Sequence, residues 1–118
     1  MRQKSWAGAF RHAADGIVHS FKSQRNLKFH VAAAAAAVVL AAYFRLSAAE
    51  WGLLALTIAG VIAAELFNTA VEAMVDLVSP QVHHLAKTAK DAAAGAVLVM
   101  ALASLAVGYV LFFHRLFG

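Results

Sequence analysis

The sequence predicts an all-α integral membrane protein with three transmembrane helices and an N-terminal amphipathic surface helix. Its 118 residues are 63% hydrophobic and only 14% charged, which is too apolar for a soluble domain of this length. The basic residues lie beside apolar stretches, as membrane-surface anchors do, and this pattern gives no reason to expect a nucleic-acid partner. The chain has no cysteine, so a metal site would have to use carboxylates, histidines and neutral oxygens. Residues 1–118 show no internal repeat, and we expect one domain.

The surface helix is predicted at about residues 5–24. Aromatic and aliphatic residues recur there at helical spacing, while charged residues occupy the rest of the wheel, as in a helix that lies in the membrane interface. A short polar stretch then leads into the first apolar span, at about 29–46, which contains the consecutive alanines Ala32 to Ala37. Such small side chains allow another helix to approach closely within a membrane.

The second and third spans are predicted at about 50–78 and 90–113. The second ends at Ser79-Pro80, and at about 1.5 Å per residue it exceeds the hydrocarbon thickness, so its C-terminal end should reach the headgroups. Most lysines and arginines lie before the first span or between the second and third. This distribution predicts that the N-terminus and the second loop are cytoplasmic.

A row of polar side chains occupies the second span. It consists of Glu65, Asn68, Thr69, Glu72 and Asp76, whose spacing of i, i+3, i+4, i+7 and i+11 places them on one face of a helix. Acidic residues in hydrocarbon cost roughly 2.5 to 3.5 kcal/mol each on insertion scales, so the row indicates a functional site. The alternative is a structural network that pairs with nearby lysines, but so long a row exceeds what packing requires.

Charged residues at the start of the third span should face the same interface. Lys87, Lys90 and Asp91 could be a solvated helix start, but a lysine beside carboxylates that hold a divalent cation also suits phosphoryl transfer. His83 and His84 could be zinc ligands, although adjacent side chains on a helix point apart and no third ligand has suitable spacing. We expect both histidines to lie on the headgroup or nucleotide side of the loop.

Two classes of function remain open from the residues themselves. One is a lipid kinase, and the other is a non-enzymatic membrane oligomer with a cation or proton pathway lined by the acidic row. A pathway requires the row to face a symmetry axis. A kinase requires it to face Lys90, Asp91 and the surface helix.

Two segments carry a resemblance to a known family. Residues 65–76 read Glu-x-x-Asn-Thr-Ala-x-Glu-x-x-x-Asp, and residues 86–97 read Ala-Lys-x-x-Lys-Asp-x-Ala-Ala-Gly-Ala-Val. Both resemble the small prokaryotic diacylglycerol kinases, which are integral membrane lipid kinases, and the similarity covers nearly the whole chain. Arg25-Asn26 followed by His30 is more similar to the Gram-positive-type branch, whose members are undecaprenol kinases.

The resemblance implies a homotrimer in the bacterial cytoplasmic (inner) membrane that transfers the γ-phosphoryl group of ATP to a lipid alcohol. Undecaprenol is the expected acceptor, and diacylglycerol is the alternative. The resemblance also implies Mg²⁺ as cofactor and an active site between subunits, which the surface helix covers.

The site residues are also implied by this resemblance. Glu65 is the expected general base, and Asn68 and Asp76 are expected to order the site. The expected nucleotide-side residues are Lys90, Asp91, Glu72, Gln24, His83 and His12.

Gln24 departs from the family pattern, in which a glutamate usually precedes the Arg-Asn pair as a metal ligand. An amide oxygen can coordinate magnesium but brings no formal charge. We therefore expect Glu72 and Gln24 to be the metal ligands, and we expect Gln24→Glu to raise turnover.

Overall fold

The computed structural model describes residues 5–79, 81 and 83–118, and its regular structure is entirely helical within these ranges. The elements are α1 (Trp6–Ser23), α2 (Arg25–Phe44), α3 (Ala48–Val78), α4 (His84–Gly108), a π-helical turn (Tyr109–Phe113) and α5 (His114–Phe117). Three helical runs are long and apolar enough to cross a membrane: Arg25–Phe44, Ala48–Val78 and His84–Phe117. The predicted all-α membrane protein with three spans is confirmed. The predicted stop at Pro80 lies outside the described residues.

A single extended residue separates α1 from α2. Gln24 has φ −112° and ψ 116°, and its backbone N–H donates to the Ser20 carbonyl oxygen at 2.9 Å. Ser20 and Leu27, on either side of this break, are both buried. α2 therefore begins earlier than the predicted span, directly after Gln24, and α1 is a separate helix that contacts α2 and α3.

A tight turn joins α2 to α3. Arg45 has the left-handed conformation, with φ 55° and ψ 59°, and the Leu46 N–H donates to the Ala41 carbonyl oxygen at 3.2 Å. Ser47 then caps α3, because its hydroxyl accepts from the Glu50 N–H at 3.2 Å while the Glu50 carboxylate accepts from the Ser47 N–H at 2.9 Å. Such a reciprocal capping box fixes the start of a helix.

The main hydrophobic core lies beside this turn. It consists of Ala41, Leu46, Leu54, Leu111 and Phe112. We call this end of the helical bundle the Arg45 end. We call the opposite end, which holds Gln24, the C-terminus of α3 and the N-terminus of α4, the Gln24 end.

The helix that begins with α4 does not end at the predicted limit of the third span. It continues through the π-helical turn into α5, where Arg115 donates to both carboxylate oxygens of Glu50, at 3.2 and 3.1 Å, and to the Leu111 carbonyl oxygen. Neither the π-helical turn nor this ion pair was predicted from the sequence. Together they attach the C-terminal turn to the start of α3.

The outer faces of the helices carry many large apolar side chains. Leu56 is 73% exposed, Leu105 70% and Val39 67%. So many exposed large apolar side chains are unusual on a soluble monomer, whereas lipid tails or neighbouring helices can cover them in a membrane.

Candidate active site

The polar row on α3 runs from the interior of the bundle to its surface. α3 is an uninterrupted helix, so Glu65, Asn68, Thr69, Glu72 and Asp76 share one face as predicted. Glu65 is only 4% exposed, the three residues that follow in the row are half-buried, and Asp76 is exposed. The row therefore connects a buried carboxylate with the surface at the Gln24 end.

Glu65 lies opposite a histidine of α2. His30 Nε2 is 3.1 Å from Glu65 Oε1, and the two side chains are 21% and 5% exposed. The histidine N–H is not aligned with the oxygen, so Oε1 has no hydrogen-bond donor among the described residues. Thr69 does not supply one, because its hydroxyl donates to the Glu65 carbonyl oxygen at 3.0 Å.

Asn68 has a similar unused acceptor. Its Oδ1 is buried without a donor in the described part of the chain, one helical turn beyond Glu65. A buried polar atom left without a partner costs about 1–3 kcal/mol. Two such oxygens on one face indicate a place where a donor from outside the chain, such as a substrate hydroxyl, can bind.

At the exposed end of the row, α3 pairs with α4. Lys90 Nζ lies 2.7 Å from Asp76 Oδ1. Within α4, Lys87 Nζ lies 2.6 Å from Asp91 Oδ2. These side chains are 41–73% exposed, so each pair is weak and can be exchanged for another charged partner.

A shallow cavity of about 220 Å³ lies beside these ion pairs. Its lining includes Asp76, His83, Lys87, Lys90 and Asp91. Both constellations predicted from the sequence, the end of the acidic row and the start of the third span, therefore meet at the Gln24 end. The lysines supply positive charge there, as a polyphosphate ligand requires.

His83 and His84 do not point apart, and that expectation was wrong. His83 precedes α4 in an extended conformation, and its Nδ1 accepts from the Leu85 N–H at 3.0 Å. The two imidazole rings consequently stack, with centroids 4.6 Å apart and an interplanar angle of 23°. Across residues 5–79, 81 and 83–118, no group of three or more His, Asp or Glu side chains is arranged to hold a metal ion.

Gln24 and His12 lie on the N-terminal side of the bundle. Gln24 is half-buried at the break between α1 and α2, and its side chain makes no capping hydrogen bond at the start of α2. His12 is exposed on α1. The half-buried amide of Gln24 is thus not used by the adjacent helix end.

A second cavity, of about 170 Å³, lies between α2, α3 and the end of α4. His30 lines it together with Ala33, Ala37, Val61 and Phe112. Its hydroxyl groups belong to Thr57 and Ser104, and each donates to a carbonyl oxygen of its own helix, at 2.7 Å. The cavity is therefore effectively apolar except at His30.

His30 was not among the predicted site residues. The available signal was an ionisable side chain at the start of an apolar span, which by default suggests a functional site. Its partner could not be identified from the sequence, because Glu65 lies on another helix.

Comparisons with known proteins agree with these features. The family model for prokaryotic diacylglycerol kinase matches residues 11–112. An undecaprenol kinase of Bacillus subtilis is 44% identical over 108 residues, which cover 92% of this chain and 88% of that protein. A diacylglycerol kinase of Synechocystis is 42% identical over 115 residues, covering 92% of this chain and 66% of that protein. A diacylglycerol kinase of Helicobacter pylori is 34% identical over 91 residues, covering 77% of this chain and 71% of that protein. This chain belongs to the prokaryotic diacylglycerol kinase family.

Proposed function

We propose that this protein phosphorylates the hydroxyl group of a membrane lipid alcohol, with ATP as the donor and undecaprenol as the preferred acceptor. Membership of a lipid kinase family supports the reaction class. The match to an undecaprenol kinase extends over most of both chains, which favours undecaprenol. Diacylglycerol is the second candidate, because two of the similar proteins are diacylglycerol kinases.

The buried carboxylate of Glu65 carries this proposal. Its Oε1 has no aligned donor within the described residues, so it retains the capacity to accept a proton from a substrate hydroxyl. In the proposed step, Glu65 takes that proton while the alcohol oxygen bonds to the γ-phosphorus of ATP. The bond from the γ-phosphorus to the β,γ-bridging oxygen breaks, and ADP leaves.

The exposed ion pairs at the Gln24 end are the proposed nucleotide contacts. Lys90 would offset negative charge on the phosphates, while Asp76 and Asp91 would hold the two lysines in place until nucleotide binds. His83, at the start of α4, and His12, on α1, would contact the nucleotide from either side. Because these groups are largely exposed, exchanging one charged partner for another has a small desolvation cost.

Glu72 and Gln24 are the proposed Mg²⁺ ligands. The Glu72 carboxylate is half-buried and has no ion pair or hydrogen bond with any other described side chain, and the Gln24 amide is not used in capping. Carboxylate and amide oxygens are suitable donors for this hard cation. When bound, Mg²⁺ would offset charge on the transferred phosphoryl group.

In this proposal, residues 1–118 form a single domain, and the protein assembles as a homotrimer in the bacterial inner membrane. The N-terminus would be cytoplasmic, with α1 lying on that membrane surface as an amphipathic helix. Trp6 and Phe10 of α1 are 82% and 71% exposed, which suits residues that enter the interface. In this arrangement the Gln24 end faces the compartment that contains ATP.

The ion-pathway alternative is not retained. The row would have to face one continuous axis, but Glu65 faces His30 of α2, whereas Asp76 pairs with Lys90 of α4. The two ends of the row therefore contact different helices. In addition, the proteins to which this chain is similar are kinases.

The test is transfer of phosphate from γ-labelled ATP by the purified protein in lipid vesicles or micelles. Undecaprenol and diacylglycerol are supplied in parallel, with a reaction lacking any acceptor as the control. We expect Mg²⁺-dependent labelling of undecaprenol and weaker labelling of diacylglycerol. Absence of labelled lipid with either acceptor, both for this sequence and for its Gln24→Glu variant, would contradict the proposed function.

A further inference from the structure

We propose that His30 is a positioning residue for Glu65, which it orients toward the lipid hydroxyl group. The inference rests on the proposed function, because it concerns the base of that reaction. His30 itself neither gains nor loses an atom in the step. The hydroxyl proton moves to Glu65, and the alcohol oxygen displaces ADP from the γ-phosphorus.

The contact between these residues is isolated. Within the described ranges, the His30 and Glu65 side chains form the only polar side-chain contact between α2 and α3. The lysines of α4 near the exposed end of the row have other partners, since Lys90 pairs with Asp76 and Lys87 with Asp91. His30 is therefore the one basic side chain, in the part of the chain described, that restrains the Glu65 carboxylate.

The position of His30 restrains the Glu65 carboxylate but leaves its Oε1 able to accept a hydrogen bond. His30 Nε2 approaches to 3.1 Å, which limits the rotation of the carboxylate, but its N–H is not aligned with Oε1. A strong, aligned hydrogen bond from His30 would occupy Oε1 and compete with a substrate hydroxyl group for that oxygen. The observed arrangement keeps the oxygen in place while preserving its capacity to accept the substrate proton.

His30 also lines the apolar cavity between α2, α3 and α4. The side chain therefore borders the base on one side and space for hydrocarbon on the other. An alcohol that arrives with its chain among these apolar walls would meet Glu65 beside His30, where little water competes for the carboxylate.

The test compares His30→Ala and His30→Gln in steady-state assays of lipid phosphorylation, with separate KM values for ATP and for the lipid. Misplacing a reacting group by about 1 Å can lower the rate about 100-fold. We expect His30→Ala to lower kcat by up to that factor, while KM for ATP changes less than about twofold. His30→Gln, which retains a nitrogen donor, should recover part of kcat.

Two further measurements separate positioning from a general effect on folding. In a Glu65→Gln background, His30→Ala should cause no additional loss, because residues that act as a unit are not additive. The matched control is His114→Ala, an exposed histidine at the Arg45 end, which should retain the original kcat. Nitrogen NMR of the histidine rings in the full chain should show the His30 signal moving on Glu65→Gln.

The outcomes distinguish this inference from the proposed function. If the unmodified protein phosphorylates lipid and His30→Ala keeps its kcat, the positioning role is wrong. It is also wrong if His30→Ala raises both KM values as much as it lowers kcat and His30→Gln restores nothing. If the unmodified protein phosphorylates no lipid alcohol, the proposed function fails, whatever the NMR shows about the contact.

Discussion

Glu50 and Glu65 both lie on α3, but the fold uses their carboxylates in opposite ways. Glu50 accepts from the Ser47 N–H at 2.9 Å and from Arg115 at 3.2 and 3.1 Å, and its side chain is 29% exposed. Glu65 is 5% exposed, and its Oε1 has no aligned donor in the described structure. The more deeply buried carboxylate is thus the less satisfied one, the reverse of what stability alone would favour.

The difference separates a structural acid from the proposed base. At the Arg45 end, Leu54, Leu111 and Phe112 pack together in the core. The side chains of Glu50 and Arg115 satisfy each other's hydrogen-bonding requirements at the same end. Toward the Gln24 end, α3 carries two buried acceptors, on Glu65 and Asn68, that have no hydrogen-bond donor within residues 5–79, 81 and 83–118. Proteins commonly break local rules at functional sites and compensate elsewhere, and here one helix does both.

The strongest test of this comparison is Glu65→Gln. The amide has nearly the same shape but cannot act as a base, so we expect kcat to fall by about 10² to 10⁴. Thermal stability should not fall, because the amide keeps the size of the side chain and adds a hydrogen-bond donor. Phosphate transfer and thermal unfolding are measured on the same preparation. A large loss of stability with kcat retained per folded molecule would assign Glu65 to structure and remove the contrast with Glu50.

The next largest effect is expected for Gln24→Glu. A carboxylate adds formal charge where Gln24 is proposed to bind Mg²⁺, and changes around a metal site typically alter affinity or activity by about 10- to 100-fold. We expect kcat to rise by up to about 10-fold, with less Mg²⁺ needed for half-maximal activity. Gln24→Met is the matched control without a side-chain oxygen. It should lower kcat and raise the Mg²⁺ concentration needed for half-maximal activity. An unchanged Mg²⁺ dependence in both variants would show that Gln24 is not a ligand.

A smaller effect, on stability, is expected in the segment of α3 between the two acids. A Cβ added at Gly60 would lie 2.5 Å from Met100 Cε of α4. The flexible end of Met100 can give way to one methyl group, but Gly60→Leu would overpack the contact, at a cost of about 1–3 kcal/mol. Gly52→Leu is the matched control, because a Cβ there meets nothing within 4 Å. Equal melting temperatures for the two variants would show that α3 and α4 are not closely packed at Gly60.

The sequence was sufficient for whatever depends on a single helix. The helical period placed Glu65, Asn68 and Asp76 on one face, and hydropathy identified three spans, although the first and third helices begin earlier than predicted and the third also ends later. It was not sufficient for contacts between helices. Neither the His30–Glu65 approach nor the Glu50–Arg115 pair follows from spacing, because each depends on how two separate segments pack.

Backbone detail at helix ends was also beyond the pattern. His83 and His84 stack because His83 takes the extended N-cap position, whereas the prediction assumed that both residues were helical. The π-helical turn Tyr109–Phe113 lies within a uniformly apolar stretch, and apolar periodicity does not distinguish a π turn from an α turn. Such turns depend on local packing, and this one contains the buried Leu111 and Phe112.

The smallest effect, on melting temperature, is expected for Glu50→Gln. A small effect is informative here because it is the result expected of a purely structural acid. The Glu50–Arg115 pair is partly exposed, so it is screened by salt and contributes modestly to stability. We expect a small decrease in melting temperature that shrinks as salt is added, with kcat and both KM values unchanged. Arg115→Gln should give a similar decrease, and the double variant should add little to it, since the two residues act on one interaction. If Glu50→Gln instead lowered kcat as Glu65→Gln is expected to, full satisfaction of a carboxylate would no longer identify it as structural, and the free oxygen of Glu65 would lose its value as evidence for a base.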